Sequence, residues 1–377
     1  MIEISNHIKK DGTLDKFLRI FFSSCFTIFN FFKKKQIDNQ KILIISLHKL
    51  GDTVFTIPAI KALKKELYPE ITIACFDDSR KIYELVFDSF NYIILRKEDF
   101  LFSGRIAKSS SRKKIKNTKA ETIIDLTGAV NSASLIFNNY AKRIIGFNEK
   151  YFQKIYSDFI PKRKNPHLMD LYLDVAKILI KIEDESELKK FEKSEKQGEY
   201  ILIHPFAGWK AKEWNLHKFV ELAEQLKKKY KCKFIIPADR ADVETLSLIN
   251  TKNISYKISS DISELIEAVK NASVVIGCDS GAVYIASILG KFTFSIYGPT
   301  NPRFSMPFGA HNNYIQQEVN CSPKFNEQYC YLDAGRKCQT INCMKTLSVK
   351  EVLSQIYSFF ENTSLQEFSK TEKGASY

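Results

Sequence analysis

Short apolar runs alternate along the chain with longer stretches of helical periodicity. The runs are rich in isoleucine and valine, as in strands of a parallel sheet that helices cover on both faces. They predict strands at 41–46, 70–75, 91–95, 121–125 and 143–146, and then at 200–204, 233–237, 273–277 and 291–296. The two sets predict an α/β protein with two doubly wound, Rossmann-like sheets that face each other across a cleft.

The intervening stretches predict helices, with a kink at Pro58 inside the first one. The main predicted helices are 52–67, 217–229, 240–250, 262–270, 280–290 and 348–360. A charged, weakly apolar interval between the two sets predicts a linker. The predicted organisation is a basic amphipathic extension at 1–40, a first domain at 41–181, the linker at 182–199, a second domain at 200–347, a helix at 348–363 and a flexible tail at 364–377.

Composition adds a positive charge to this picture. The 377 residues include 57 Lys and Arg against 43 Asp and Glu, a net charge of +14 that predicts an anionic partner. The partner could be a phosphorylated ligand, an acidic membrane surface or nucleic acid. Because the lysines are spread along the chain and no nucleic-acid recognition motif occurs, we predict no nucleic-acid partner.

The apolar segment Phe17–Phe32 is interrupted by Arg19 and Asn30 and runs into Lys33–Lys35. It is too short and too polar for a transmembrane span, and no cleavage site for a signal peptidase follows it. Two interpretations stay open: a helix that lies in a membrane interface, or a helix that packs on the first domain.

The segment 105–120 carries seven basic residues and no acidic one. The residues alone favour a solvated helix face or loop. The functional alternative is an electropositive rim that attracts an anionic substrate, with Lys113 and Lys114 as candidate residues.

A Gly-Asp pair, Gly51 and Asp52, follows the first predicted strand. The single glycine excludes the dinucleotide fingerprint, and no Gly-Lys-Ser/Thr occurs for a P-loop. Asp52 is either a helix cap or a general base directed into the cleft; these residues alone favour the cap.

Two motifs of the second half point to an anion. Lys210 and Lys212 lie in a loop after the strand 200–204, where they can reach a ligand at the strand's carboxyl end. The strand 273–277 leads into Asp279-Ser280-Gly281-Ala282 and a helix, so backbone N–H groups at a helix start form a ready phosphate site. Asp279 either caps that helix or orients a ligand hydroxyl, and the segment 297–302 is predicted to shape the cleft wall.

Four cysteines, Cys321, Cys330, Cys338 and Cys343, lie near the C-terminus. Their spacing is not that of paired C-x₂-C zinc ligands. Free thiols are the favoured interpretation, while a structural metal and disulfides stay open.

Three blocks together resemble the lipopolysaccharide heptosyltransferases of glycosyltransferase family 9. They are KILIISLHKLGDTVFTIPAIKALKK, HPFAGWKAKEWNLHKFVELAEQL and VVIGCDSGAVYIASILGKFTFSIYGPTNP, and the resemblance covers about residues 41–360. It implies a GT-B fold whose first domain binds the acceptor and whose second domain binds the nucleotide-sugar donor. It also implies inverting, metal-independent transfer of a heptose from an ADP-activated donor to the lipopolysaccharide core.

The same resemblance implies roles for single residues. Asp52 corresponds to the family's general base and Lys212 to its donor-phosphate lysine, while Asp279, Ser280 and Gly281 correspond to the donor-binding turn beside Ala282. Tyr284 stands where the family usually has histidine, which puts the donor contacts in question, and Asn301 stands where Asp is common.

Two alternatives accompany this hypothesis: the same fold with a different nucleotide sugar, and a non-catalytic protein that binds nucleotide sugars or glycolipids. The expected partners are a nucleotide-sugar donor and an anionic glycolipid acceptor, with no cofactor. The expected location is the cytoplasm, with peripheral contact to the inner membrane as an option.

Overall fold

The computed structural model describes residues 17–363 except 19, 23, 26–40, 68–69, 149, 164–165, 195–197, 331–334 and 336. Most of the predicted extension 1–40 and the whole predicted tail 364–377 therefore lie outside the described residues. The chain divides into two compact units, Met1–Lys189 and Lys190–Tyr377. Within the predicted linker 182–199, Glu185–Lys189 is helical and belongs to the first unit.

The first unit is built on a six-stranded parallel sheet with the order β3-β2-β1-β6-β7-β8. Its strands are β1 Lys41–Ser46, β2 Glu70–Phe76, β3 Asn91–Leu95, β6 Thr122–Asp125, β7 Arg143–Asn148 and β8 Asp158–Pro161, and a separate hairpin is formed by β4 Phe100–Leu101 and β5 Ile106–Ala107. Its helices are α1 Leu50–Leu67, α2 Asp77–Tyr83, α3 Ser109–Asn117, α4 Val130–Ile136, α5 Leu168–Ala176 and α6 Glu185–Lys189.

The second unit repeats this plan with the strand order β11-β10-β9-β12-β13-β14, again all parallel. Its strands are β9 Tyr200–His204, β10 Cys232–Pro237, β11 Ser255–Ser259, β12 Ala272–Cys278, β13 Phe292–Tyr297 and β14 Asn312–Gln316. Its helices are α7 Leu216–Leu226, α8 Val243–Asn250, α9 Ile262–Lys270, α10 Gly281–Ile288, α11 Pro302–Ser305, α12 Asn342–Lys345 and α13 Val349–Glu361. Leaving the hairpin aside, both sheets follow the 3-2-1-4-5-6 order of dinucleotide-binding folds.

The nine predicted strands are all present. The structure adds the short hairpin strands β4 and β5, and it adds β8, β11 and β14 at edges of the two large sheets. Each of these three edge strands has only one neighbour and carries polar residues, so it lacks the apolar run on which the prediction relied. The edge strand β3 keeps such a run and was predicted.

Helix α1 continues through Pro58 without a break, so the proline does not end the helix. Its buried face includes Val54, Ile57 and Leu63. Among the described residues, no helix is both long and apolar enough to cross a bilayer.

Candidate functional site

The turn between β1 and α1 carries the Gly-Asp pair. Asp52 is partly buried in the first turn of α1, which begins at Leu50. It therefore lies inside the helix and not at the residue before it, where a capping side chain stands. The positive end of the helix dipole at the start of α1 favours a negative charge there.

Hydrogen bonds from two other elements hold this turn. The backbone N–H of Leu47 donates to the Thr127 hydroxyl (2.8 Å), and the Ser79 hydroxyl donates to the carbonyl of His48 (3.1 Å). Thr127 follows β6 and Ser79 lies in α2, so the turn is tied to both neighbours of the first strand. The start of α1, and Asp52 with it, is thereby fixed to the carboxyl edge of the sheet.

Asp125, at the end of β6, organises the loop that holds this turn, and the sequence analysis did not single it out. Its fully buried carboxylate accepts hydrogen bonds from the N–H groups of Thr127 (2.9 Å) and Gly128 (3.1 Å) and from the hydroxyls of Ser132 (2.7 Å) and Tyr156 (2.7 Å). Burial raises the pKa of Asp125, and these four donors oppose that shift. The sequence did offer one signal for this residue, because Asp125 is an aspartate at the end of a predicted apolar strand.

In the second unit, Asp279 organises the turn between β12 and α10. It is 4% exposed and forms an ion pair with Lys212. It also accepts hydrogen bonds from the hydroxyls of Tyr284 and Thr300, the latter at 2.8 Å. Ser280, and not Asp279, stands at the cap position of α10. Asp279 therefore joins three segments instead of capping the helix, and Thr300 is a partner that the sequence did not reveal.

Lys212 reaches this turn from the loop after β9. Besides the ion pair, its ammonium lies 3.4 Å from the carbonyl oxygen of Asp279 and 4.3 Å from the centre of the Trp209 ring. Its side chain is 13% exposed. The structure thus brings a cation to the turn before α10.

The start of α10 has free donors. The first N–H groups of a helix lack intrahelical partners, and the buried Ser280 hydroxyl makes no hydrogen bond with any described residue. Just before it, a Cβ on Gly277 would lie 2.7 Å from the carbonyl oxygen of His204, so only glycine permits this close strand pairing. Amides, a hydroxyl and the helix dipole at this place offer hydrogen-bond donors and a partial positive charge, which is the chemistry that an anionic group requires.

Tyr284 lies one helical turn inside α10 and is 5% exposed. Burial raises the pKa of its phenol well above the ordinary value, so the side chain is neutral near pH 7. It donates its hydrogen to Asp279. A tyrosine here supplies a hydrogen bond but no positive charge.

The loop between β9 and α7 is anchored at its far end by Trp214, which is 1% exposed. The indole N–H donates to the carbonyl of Leu347 (3.1 Å). The neighbouring Glu213 pairs with Lys210 (2.8 Å) and with Arg240 (3.2 Å). Lys210 is therefore engaged by a carboxylate of its own loop, which leaves Lys212 as the lysine at the α10 turn.

The two basic candidates of the first unit lie on α3. Lys113 is exposed, and the Lys114 ammonium pairs with Asp99 at 3.2 Å. Lys114 also lines an open depression of about 450 Å³ beyond the end of β3, together with Ile94, Arg96, Glu98 and Asp99. The depression is of mixed charge, because both acidic and basic side chains line it.

All eight cysteines lie in the described residues and are free thiols. The four late ones, Cys321, Cys330, Cys338 and Cys343, line one small cavity. No group of three or more His, Cys, Asp or Glu in the described part of the chain has the arrangement of a metal site. In the structure these four cysteines form no disulfide with one another.

Comparison with known proteins shows the family of this chain. The family model of glycosyltransferase family 9 (heptosyltransferase) matches residues 109–333. The lipopolysaccharide core heptosyltransferase OpsX of Haemophilus influenzae is 23% identical over 270 residues, which are 65% of this chain and 76% of that protein.

Solved structures show the same fold. A glycosyltransferase family 9 protein of Veillonella parvula has a TM-score of 0.68 at 19% identity, covering 87% of this chain and 99% of its own. The E. coli heptosyltransferase WaaC, solved with ADP, has a TM-score of 0.63 at 17% identity, with coverages of 84% and 99%. The expected α/β fold with two Rossmann-like units is confirmed, and because the family model spans more than half of the residues, this chain belongs to glycosyltransferase family 9, the heptosyltransferases.

Proposed function

We propose that this heptosyltransferase moves a heptose, with inversion, from an ADP-activated donor to the lipopolysaccharide core or a similar cell-surface glycan. The observation that carries the proposal is the α10 turn, where a lysine ammonium, free helix amides and the unpartnered Ser280 hydroxyl meet. The similar E. coli enzyme WaaC was solved with ADP, which supports ADP as the nucleotide of the donor. The relative OpsX is a lipopolysaccharide core heptosyltransferase, which supports the lipopolysaccharide core as the acceptor.

Asp52 is proposed as the general base. The proton of an acceptor hydroxyl passes to the Asp52 carboxylate while that oxygen bonds to the anomeric carbon of the donor. The bond from the anomeric carbon to the diphosphate breaks at the same time, and its electron pair leaves with ADP. A single displacement of this kind inverts the anomeric configuration.

The departing diphosphate gains negative charge, which the second unit is suited to stabilise. The Lys212 ammonium and the amides of residues 280–282 offer a positive charge and preorganised dipoles where that charge develops. Asp279, held by Tyr284 and Thr300, keeps the ammonium in place. These groups support the proposal that transfer proceeds without a catalytic metal.

On the acceptor side, we assign Lys113 and Lys114 to recognition of an anionic glycolipid. Their position on α3 and the depression beside Lys114 support this assignment. Arg96 and Lys114 offer cations to phosphate groups, and Glu98 and Asp99 offer acceptors to sugar hydroxyls.

A specific observation favours a second candidate. The neutral Tyr284 replaces the histidine usual in the family, so this turn lacks one group that could carry a charge. A donor with another nucleotide or sugar would fit the same chemistry. A non-catalytic binding protein is less favoured, because binding alone requires no base at position 52.

We also place the protein in the cytoplasm, in peripheral contact with the inner membrane that holds the acceptor. Eight free thiols agree with a reducing compartment.

A calorimetric screen of ADP, UDP, GDP and dTDP, followed by a transfer assay with the corresponding sugar donors, tests the function. We expect ADP to bind most tightly and ADP-heptose to be consumed in the presence of acceptor. Tightest binding of another nucleotide would favour the second candidate, and binding without transfer would favour the non-catalytic one.

A further inference from the structure

The exposed large apolar side chains of the first unit are concentrated in three short segments. Among its described residues they are Phe17, Ile20, Phe21, Leu101, Phe102 and Tyr140, each at least 45% exposed. Single apolar residues on a surface are ordinary, whereas a concentration of this kind marks an interaction surface.

The helical residues 17–18, 20–22 and 24–25 have two apolar sides. Leu18 and Phe22 are 7% and 4% exposed, and the Phe22 ring packs edge to face on Phe137 at 5.7 Å. Phe17 and Ile20 point the other way, at 63% and 66% exposure. The inner side accounts for packing on the unit, so the outer side needs a different partner.

The hairpin segment adjoins the same core cluster as the helical residues. Phe100 and Ala107 of the hairpin belong to the cluster that includes Leu18 and Phe22. At the tip between the two strands, Phe102 has the left-handed backbone, with φ of 51°, and is 65% exposed. That conformation is unfavourable for a large side chain and here displays an aromatic ring to solvent.

Positive charge accompanies these side chains. Residues 100–120 contain seven Lys and Arg and no Asp or Glu. The Lys116 ammonium lies 4.7 Å from the centre of the Tyr140 ring, so a cation contacts one of the exposed aromatic side chains. Exposed apolar and aromatic side chains together with basic residues suit the interface of an anionic bilayer.

We propose that the first unit docks on an anionic lipid membrane through an aromatic–basic face, formed by Phe17, Ile20, Phe21, Leu101, Phe102, Tyr140, Arg105 and Lys116. A second copy of the chain is a poorer occupant, because a two-fold interface would bring this basic surface against itself. The inference rests on the proposed function for the lipid-linked nature of the acceptor. It adds a surface that binds bulk lipid and not the acceptor's sugars.

Co-sedimentation of the full chain with vesicles tests the proposal. We expect vesicles of phosphatidylcholine with about a third phosphatidylglycerol to bind the protein about tenfold more tightly than phosphatidylcholine alone, and added salt to weaken the binding. The double variant Ile20→Ser, Phe21→Ser should lower this affinity about tenfold. The matched control is Val243→Ser, which removes an 86% exposed apolar side chain from the second unit.

Charge is tested with Arg105→Glu, Lys116→Glu, which should abolish the preference for anionic vesicles. Lys181→Glu, at a side chain that is 87% exposed in the same unit, is the control and should bind as the wild type does. Equal binding by the wild type and by both double variants would overturn the proposal. So would light scattering that shows a wild-type dimer which Ile20→Ser, Phe21→Ser dissociates, since the occupant would then be a second copy.

Transfer to a delipidated, soluble core oligosaccharide separates this inference from the proposed function. We expect the apolar double variant to transfer to that acceptor at the wild-type rate. A wild type that binds anionic vesicles but transfers no sugar would contradict the proposed function alone, and the reverse result would contradict the docking face alone.

Discussion

At the scale of single residues, Asp279 shows that the side chains around a residue in the fold decide its structural role. Read along the chain, an aspartate before a helix suggests a cap. In the fold, its carboxylate pairs with the Lys212 ammonium and accepts hydrogen bonds from Tyr284 and Thr300. Lys212 lies 67 positions before Asp279 in the chain, and Thr300 lies 21 positions after it. The motif predicted where the residue stands, and its distant partners decide what it does.

Asp52→Asn tests the proposed base. The amide keeps the shape of the side chain but cannot accept the proton, so we expect kcat to fall about 10²- to 10⁴-fold. Calorimetry should give an unchanged dissociation constant for ADP. Asp78→Asn, another acid in a first helical turn of the same unit, is the control and should keep its activity. Parallel loss of turnover and ADP affinity in the Asp52 variant would show a structural role instead.

Lys212→Met tests the phosphate contact. Losing a charge-assisted hydrogen bond should weaken ADP binding about 10- to 100-fold, as measured by calorimetry. Lys210→Met is the matched control, because this lysine pairs with Glu213 and its side chain is 84% exposed. An identical ADP affinity for both variants would remove the assignment of Lys212.

At the scale of elements, both turns of interest join the carboxyl end of a parallel strand to the start of a helix. The β1–α1 turn is held by the loop after β6, whose shape depends on the buried Asp125. The β12–α10 turn is held by the loops after β9 and β13, which carry Lys212 and Thr300. Neighbouring strands therefore position each turn.

Thr127→Val tests the first of these supports. The isosteric change leaves the buried N–H of Leu47 without its acceptor, which should lower the free energy of unfolding by about 1–3 kcal/mol. It should also lower kcat, because the turn before Asp52 loses a hydrogen bond that holds it in position. The affinity for ADP should stay constant. Thr118→Val, a partly exposed site where water can replace the hydroxyl, is the control for stability and turnover. Unchanged thermal unfolding and kcat in the Thr127 variant would mean that the loop does not hold the turn.

The central strands were predictable because full burial on both faces leaves an uninterrupted apolar run. The edge strands β8, β11 and β14 were not, since a half-exposed strand has the mixed composition of a loop. Their existence follows from pairing with β7, β10 and β13, which is a property of the assembled sheet.

At the scale of the whole molecule, the two units share one topology and carry different chemistry. The first unit presents a carboxylate at its first turn and basic residues on α3; the second presents a cation and helix amides. This division matches a transferase that handles a hydroxyl acceptor and a diphosphate donor separately.

Chelation tests the proposed source of positive charge in the complete enzyme. If Lys212 and the α10 amides stabilise the leaving diphosphate, an excess of EDTA should leave the rate of transfer unchanged within about twofold. The measurement is product formation from ADP-heptose with and without EDTA. Strong inhibition that added Mg²⁺ reverses would show that a metal ion takes part in the reaction.

The sequence by itself determined the α/β class, nine of the strands and the two turns with Asp52 and Asp279, because burial and turn chemistry act on neighbouring residues. Only the tertiary structure decided the ion pair of Lys212 with Asp279, the network of Asp125, the shared cavity of four cysteines and the contact of Lys116 with the Tyr140 ring. Each of these joins residues far apart in the chain. Such contacts depend on strand order and on how loops pack, and neither can be inferred from the local sequence pattern.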